Sequence, residues 1–446
     1  MLRRFYKSLF IARRWYGLFV SVIVLFILSY GVSLLFIIAQ LLLLFVVVTS
    51  LLDYLILFTR REPVLVQREL SDRFSNGDQN PVKLVVTNQY PFHIRYRIID
   101  EVPDQFQLRD FHLDGELRPG ETKDLFYELR PIQRGEYIFH DINVFIRSPF
   151  GLVVRRKILP SERMVKVLPS YLALRHFELL AASNNLAESG SKRMRRQGQS
   201  LEFEQIKDYV IGDDIRNINW KATARKGGQL MVNSYTDEKS QQVYCVVDKG
   251  RVMKMPFDGM SLLDYAINAT LILSRVALIK QDKAGIVTFG DQIGTFLPAG
   301  RRAMQMTNIL EILYNQQTRF QETDYEKLHA LVRTRITQRS LIVLFTNFES
   351  LSGLKRELPS IRAIARNHLL LVVFFENTGL KQIQASGSGD IEGLYIKTIA
   401  EKFAYEKRLI VKELNQHGIL TILTAPENLT VHTVNKYLEI KARQAI

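Results

Sequence analysis

One stretch of the chain says more about the fold than any other. Residues 212–225 read Gly-Asp-Asp-Ile-Arg-Asn-Ile-Asn-Trp-Lys-Ala-Thr-Ala-Arg, with paired acids, three cations and a tryptophan close together. Asp213 and Asp214 are adjacent, so on any regular element they point in different directions and make a poor catalytic pair of carboxylates. A turn is the natural place for them.

The residues that follow have the spacing of a short helix. Ile215, Ile218 and Ala222 fall at i, i+3 and i+7, which predicts one apolar face. Either of the preceding acids can cap the helix, and Gly227 can end it. Trp220 is expected to pack beneath this helix while the cations pair with the acids. This interpretation gives the stretch a structural role.

A docking surface is the second interpretation of the same stretch. A helix needs one cap and one apolar face, whereas exposed Trp and Arg side chains supply much of the binding energy at protein interfaces. The predicted partner-binding residues are Asp213, Asp214, Arg216, Trp220, Lys221 and Arg225.

The stretch strongly resembles the signature of the bacterial family called domain of unknown function 58. Residues 134–137 and 148–152 also resemble the region that precedes the signature in that family. The resemblance implies a von Willebrand factor A-like domain with the signature inserted just before its first strand. It also implies MoxR-type AAA+ ATPases as partners, in cofactor insertion, complex assembly or envelope stress.

The C-terminal part, residues 242–446, alternates apolar runs with amphipathic segments. That alternation predicts an α/β domain with a doubly wound parallel sheet. Ligands of such sheets bind beyond the carboxyl ends of the strands. By resemblance, this edge would hold a metal-ion-dependent adhesion site, made of Asp-x-Ser-x-Ser, a threonine and a second aspartate. Here Asp248 remains, Gly250 and Val252 replace the serines, Thr323 matches the threonine, and Asn347 stands where the second acid would be.

We predict that this degenerate site holds no metal. Mg²⁺ prefers near-octahedral oxygen ligands that include carboxylates, and two hydroxyls and one acid are lost. Lys249 and Arg251 add positive charge that opposes a divalent cation, so Mg²⁺ or Mn²⁺ is disfavoured. Asp248 is instead expected to cap the end of the strand and to pair with Lys249 or Arg251.

The N-terminal residues 1–62 predict a membrane hairpin. No charged residue occurs from Tyr16 to Leu52, about 37 residues that as one helix would run about 55 Å against a hydrocarbon core near 30 Å. Weak helix formers at residues 29–33 predict a turn, and hence two transmembrane helices at about 16–33 and 34–58. Asp53 lies near the end of the second helix, where its carboxylate can reach the interface.

Basic residues at both ends of the hairpin predict that both ends, and all that follows, are cytoplasmic. They are Arg3, Arg4, Lys7, Arg13, Arg14, Arg60 and Arg61. A cleaved signal peptide is disfavoured because the apolar block is about twice the usual length. Cys245 is the only cysteine, which fits a reducing compartment. The expected location is the inner (plasma) membrane, multi-pass.

Between these parts the pattern changes twice. Residues 63–170 contain short alternating runs separated by turn signals, which predicts a small Ig-like β-sandwich. Residues 171–241 form a linker together with the signature. The net charge is +15, and the cluster at 192–196 is basic. No aromatic side chains are interleaved there to stack bases, so we interpret it as a solvated loop and predict no nucleic-acid partner.

Three classes of function remain open. The first is a membrane-anchored scaffold or adaptor without catalysis of its own; the chain has no Gly-x-x-x-x-Gly-Lys-Ser/Thr motif, so ATP hydrolysis would come from a partner. The second is a metal-dependent hydrolase that uses Asp213, Asp214 or Asp248, but it lacks supporting histidines. The third is an exported adhesion receptor, which the basic flanks oppose. The adaptor is favoured.

Overall fold

The computed structural model describes residues 8–60, 62–170, 201–210, 213, 215–237, 240–318, 321–377 and 391–443. The chain divides into two compact units, Met1–Leu168 and Pro169–Ile446. The basic cluster at 192–196 lies outside the described residues.

The N-terminal unit begins with strand β1 (Leu9–Ile11) and two helices, α1 (Arg13–Leu28) and α2 (Ser33–Phe58). The break between the helices falls within the predicted turn, and the Ser29 hydroxyl donates to the Phe26 carbonyl at 2.6 Å. The rings of Phe26 and Phe36 meet edge to face across the hairpin. The two predicted helices are therefore present, but the first runs from Arg13 to Leu28 and not from about residue 16 to residue 33.

Helix α2 has the length and exposure of a membrane anchor. An 18-residue window within Leu34–Phe58 has a mean hydropathy of 2.8, and 11% of that window is buried. Helix α1 has 16 residues, about 24 Å, less than the hydrocarbon thickness. The structure thus supports one anchor or signal helix, and helix length does not support two full spans. Among the described residues, Leu262–Ile279 is also long and apolar enough, but 78% of it is buried.

The rest of this unit is a β-sandwich, as predicted. Its strands are β2 (Val64–Glu69), β3 (Arg73–Ser75), β4 (Asn80–Asn88), β5 (Ile94–Asp100), β6 (Leu113–Leu117), β7 (Thr122–Leu129), β8 (Gly135–Phe139), β9 (Ile142–Arg147), β10 (Val153–Leu159) and β11 (Arg163–Leu168). One sheet has the order β1-β10-β9-β5-β6, and the others are β2-β4-β7 and β3-β11-β8. Alternate residues of β4 are buried, as a strand with one face on a core requires.

A buried ion pair lies inside the sandwich. The Arg68 guanidinium donates to the Asp100 carboxylate, and both side chains are almost wholly buried. Tyr127 donates its hydroxyl to the same carboxylate. Burial, followed by the Asp100 charge, raises the pKa of Tyr127. The opposite charges of Arg68 and Asp100 compensate each other, so removing either residue would leave the other as an unpaired buried charge.

The helical hairpin is tied to the sandwich at both of its ends. Before the first helix, β1 pairs antiparallel with β10, from Leu9 opposite Arg155 to Ile11 opposite Val153. Near the end of the second helix, the Asp53 carboxylate accepts the backbone amides of Leu152 at 2.9 Å and Val153 at 2.8 Å. Both ends of the hairpin therefore lie on the sandwich side.

The expectation that Asp53 reaches the membrane interface is wrong. Its side chain is fully buried, because the carboxylate accepts two amides at the start of β10. Arg155 reinforces this joint by donating to the carbonyls of Leu57 and Arg60. The single acid of the apolar region thus fastens the anchor to the sandwich.

The C-terminal unit contains a two-stranded hairpin and an α/β domain. The hairpin strands are β12 (Leu201–Asp208) and β13 (Met231–Asp237), with helix α3 (Trp220–Arg225) between them. The main sheet has the strands β14 (Gln242–Asp248), β17 (Lys283–Phe289), β18 (Ile293–Gly300), β19 (Leu341–Phe345), β20 (Leu369–Phe375) and β21 (Leu420–Thr424). Its order is β18-β17-β14-β19-β20-β21. Two-residue strands β15 (Pro256–Phe257) and β16 (Met260–Ser261) pair separately.

Helices cover both faces of this sheet, as the alternation of apolar and amphipathic segments predicts. They are α4 (Leu262–Ile279), α5 (Gln305–Tyr314), α6 (Tyr325–Arg335), α7 (Leu351–Asn367), α8 (Ile391–Gln416) and α9 (Leu429–Ala442). One core layer includes residues of α4, α5 and α9, and the other includes residues of α6, α7 and α8. The mixed α/β architecture is confirmed.

The prediction of a wholly parallel sheet is wrong at one edge. Strand β18 runs antiparallel to β17. Residues 290–292 alone connect the two strands, and so short a connection can join only antiparallel neighbours, since a parallel pair needs a crossover of a dozen residues or more. The other five strands are parallel.

Candidate functional site

The signature stretch lies in the long connection of the β12–β13 hairpin, directly before the first strand of the main sheet. The hairpin register runs from Leu201 opposite Asp237 to Asp208 opposite Met231. A further bridge joins Ile218 to Val232. We call residues 209–230 the connection segment. The antiparallel ladder of β12 and β13, which has one register shift between Phe203 and Gln205, holds its two ends together.

The connection segment does not form the single helix predicted from its apolar spacing. Residues 215–217 make a 3-10 turn, and the α-helix starts only at Trp220, because Ile218 between them bridges to β13. The cap is Asn219, whose side-chain oxygen accepts from Ala222 N at 3.0 Å, so the prediction of an acid at this position is wrong. Gly227 does end the helix, with φ of 72°.

The two predicted acids have different outcomes. The Asp213 carboxylate accepts from Lys207 Nζ at 3.0 Å and from Val210 N at 3.1 Å. The Lys207 ammonium, followed by the Val210 amide, lowers the pKa of Asp213. Asp213 therefore closes a turn, as the adjacency of the acids suggests. Asp214 lies outside the described residues.

Trp220 is exposed, contrary to the expectation that it packs beneath the helix. The side of α3 that faces the hairpin carries Thr223, which is buried and accepts from Met231 N at 3.0 Å. Trp220 stays 69% exposed, Ile215 68% and Val210 63%. The connection segment thus presents large apolar side chains to solvent.

The predicted cations share this surface. Arg216, Lys221 and Arg225 are all exposed. Two other lysines of the hairpin pair with acids, Lys207 with Asp213 and Lys226 with Asp208 at 2.6 Å. Basic and apolar side chains are therefore combined on one well-anchored segment.

The second predicted site lies at the carboxyl edge of the main sheet, and the structure brings Thr323 to Asp248. Asp248 is fully buried at the end of β14. Its carboxylate accepts from Thr323 Oγ1 at 2.6 Å, from Gly250 N at 2.8 Å and from Thr346 Oγ1 at 2.7 Å. Burial raises the pKa of Asp248, and these hydrogen bonds act in the opposite direction.

Tyr325 and Thr346 complete this cluster, and sequence reasoning missed both. The Tyr325 hydroxyl lies 2.7 Å from Thr346 Oγ1 and is buried. Burial, followed by the Asp248 charge, raises the pKa of Tyr325 well above its ordinary value. Arg251 is placed differently from the expectation, because its guanidinium lies 3.9 Å from Glu349 on the surface.

Asn347 is held by a lysine from a distant helix. Lys407 of α8 donates from Nζ to Asn347 Oδ1 at 2.6 Å and to the Phe348 carbonyl. The ammonium also lies 5.6 Å from the centre of the Phe374 ring. Burial lowers the pKa of Lys407 to about 8. The Lys407 ammonium is thus hydrogen-bonded to the side-chain oxygen of Asn347, which is the atom that would coordinate a metal ion.

The oxygen atoms of Asp248 and Asn347 are not arranged to coordinate a divalent cation. Both Asp248 oxygens already accept hydroxyl or amide protons, and Asn347 already accepts from an ammonium. The loop is also tightly packed, since a Cβ on Gly250 would lie 2.0 Å from Thr323 Oγ1. Mg²⁺ needs several oxygens free to coordinate it. The arrangement instead closes the strand end with hydrogen bonds.

The C-terminal unit belongs to the class of mixed α/β folds and has a two-stranded hairpin ahead of its main sheet. Residues 205–380 match the model of the family described as protein of unknown function DUF58. The chain is 22% identical over 181 residues to the uncharacterized protein YeaD of Bacillus subtilis (strain 168), a match that covers 39% of this chain and 44% of that relative.

Two solved structures are also similar in part. The conserved hypothetical protein BatB from Bacteroides thetaiotaomicron is 14% identical, covers 46% of this chain and 100% of its own, and has a TM-score of 0.30. The PapD-like domain 7 of human CEP192 is 10% identical, covers 24% of this chain and 87% of its own, and has a TM-score of 0.19.

Proposed function

We propose that this protein is a membrane-anchored adaptor that faces the cytoplasm and captures protein partners through its connection segment, without catalysis of its own. The observation that carries the proposal is the exposure of Trp220, Ile215 and Val210 beside cations. Exposed aromatic and arginine side chains supply much of the energy of protein interfaces. A hairpin ladder and the Asn219 cap hold the segment in place, which lowers the entropy lost on binding.

The proposed topology places the chain on the inner side of the plasma membrane. Helix α2 spans the bilayer, and α1 accompanies it as the second arm of a hairpin, with local thinning of the bilayer making up for its shorter length. The ties of β1 and Asp53 to the sandwich support a hairpin whose two outer ends lie on one side. Arg13, Arg14 and Arg60 lie at those ends, in agreement with the retention of basic residues in the cytoplasm.

The proposed partner is a MoxR-type AAA+ ATPase. The family resemblance suggests this partner, and the absence of a phosphate-binding motif from the sequence is consistent with ATP hydrolysis in a separate protein. The exposed cations Arg216, Lys221 and Arg225 favour an acidic patch on that partner.

Crosslinking in native membranes followed by mass spectrometry tests this proposal. The wild-type chain should recover an AAA+ ATPase, and Trp220→Ala or Arg216→Ala should lose it while keeping the wild-type thermal unfolding midpoint. Tyr395→Ala is the matched control, because Tyr395 is 68% exposed on another helix of the same unit. Recovery of the ATPase by the Trp220 variant would exclude this docking surface. Unfolding of that variant would instead assign the tryptophan a structural role.

A further inference from the structure

The two edges of the main sheet differ in how they are protected. At one edge, β18 has two register shifts against β17 and contains Pro298. Bulges and proline are the usual protection of an exposed edge against pairing with another strand. At the other edge, β21 is regular, and its register with β20 is unbroken from Leu371 opposite Leu420 to Phe375 opposite Thr424. Within the part of the chain that the structure describes, β21 has a strand neighbour on one side only.

A groove of about 850 Å³ runs beside this open edge, between β21 and the C-terminal half of α8. Val411 and Leu423 provide its apolar surface, since both are partly buried against the core. The Thr421 hydroxyl donates to Asn415 Oδ1 at 3.1 Å, which ties the strand to the helix across the groove. A strand added to the free edge of β21 would lie alongside this groove.

The charge of the groove indicates the chemistry of its occupant. Arg408 and Lys412 are exposed on successive turns of α8 and line the groove, and no acid lines it. Neither cation has an ion pair with another residue that the structure describes. Carboxylates brought between them would gain two charge-assisted contacts.

We propose that the edge of β21 and the groove beside it bind an extended acidic segment of a partner protein by strand addition. Alternate residues of a strand direct their N–H and C=O groups to the same side, so the free side of β21 supplies main-chain hydrogen bonds to the added strand. Arg408 and Lys412 select carboxylates on the side chains that face α8. This site uses no residue of the connection segment, so it is independent of the adaptor proposal.

The probe is a fluorescent eight-residue peptide of alternating Glu and Val, measured by anisotropy against the full chain in a non-ionic detergent. The paired replacement Arg408→Glu and Lys412→Glu should weaken binding at least tenfold. The matched control replaces Lys355 and Lys402, exposed lysines of the same unit that lie outside the groove, with Glu and should bind as wild type does. A peptide in which Lys replaces Glu should not bind.

Two N-methylated forms of the probe separate strand addition from simple charge attraction. One is methylated at every Glu and the other at every Val, so their charge and composition match. Only one set of amides can face β21, so one form should lose at least tenfold in affinity while the other keeps most of it. Equal binding of both forms would show adsorption of a polyanion and overturn the proposal. So would undetectable binding of the unmodified probe, or binding that survives the paired charge reversal.

Discussion

Replacing Lys407 with methionine should change the free energy of unfolding more favourably at neutral pH than at alkaline pH, when the variant is compared with the wild type. Lys407 carries its ammonium into a partly buried position against Asn347, the Phe348 carbonyl and the Phe374 ring. Burial is the main cause that lowers the pKa of this lysine from 10.5 to about 8, with the Glu349 charge acting weakly in the opposite direction. The folded state therefore bears a free-energy cost whenever Lys407 is charged.

The size and sign of this cost follow from linkage. A pKa lowered from 10.5 to about 8 corresponds to about 3 kcal/mol at 1.36 kcal/mol per unit. Below pH 8 the lysine is charged in both the folded and unfolded states, so the whole cost is present. Between pH 8 and 10.5 the folded state releases its proton while the unfolded chain retains it, so stability rises with pH. Above pH 10.5 the cost is gone.

The measurement is the free energy of unfolding by urea from pH 7 to 11, for the wild type and for Lys407→Met in the same detergent. The wild type should gain about 3 kcal/mol relative to the variant across this range, because other titrating groups cancel in the difference. Lys412→Met removes an exposed ammonium from the same helix and is the matched control, whose difference from the wild type should stay flat. A flat difference for Lys407→Met as well would refute the assignment of a buried ammonium.

Three further replacements test other joints of the fold. Asp53→Ala should leave two buried amides at the start of β10 without their acceptor, which costs about 1–3 kcal/mol for each. Hydrogen exchange of residues 152–153 should therefore accelerate. Unchanged exchange would contradict the contact between Asp53 and these amides. Gly250→Ala should lower the unfolding midpoint, since its Cβ would lie 2.0 Å from Thr323 Oγ1. Gly290→Ala is the control, because a Cβ on Gly290 would meet no atom within 4 Å. Equal midpoints for the two variants would argue against tight packing around Gly250. Arg68→Met should destabilise the sandwich by about 3–5 kcal/mol in urea unfolding, because its carboxylate partner stays buried, and a loss below about 1 kcal/mol would contradict this.

The architecture was largely predictable because it follows from periodicity. The weak helix formers at residues 29–33 mark the break between α1 and α2, and the alternation in β4 reports one buried face. Strand β18 was missed since its residues lack a continuous apolar run, and only the short connection from β17 determines its direction. Local patterns identify elements more readily than they identify which strands pair.

The sites were less predictable because their partners are distant in sequence. Thr323 could be matched to Asp248 by family resemblance, but the contact of Lys407 with Asn347 joins residues 60 positions apart with no motif to signal it. Trp220 was misplaced for a local reason. The Ile218 bridge to β13 interrupts the helix that the apolar spacing predicts, which turns Trp220 toward solvent.

The pairing of β1 with β10 affects the order in which the chain can fold. Leu9 emerges from the ribosome long before its partner Arg155, and the apolar helices lie between them. Domains form as units during synthesis, with N-terminal segments available first. The early strand must therefore wait, unpaired, while both helices and the other strands of its sheet are made, and β1 joins the five-stranded sheet only afterwards. Completion of this sheet is then a late event, because it requires a segment made before the two helices to meet a strand made near the end of the unit.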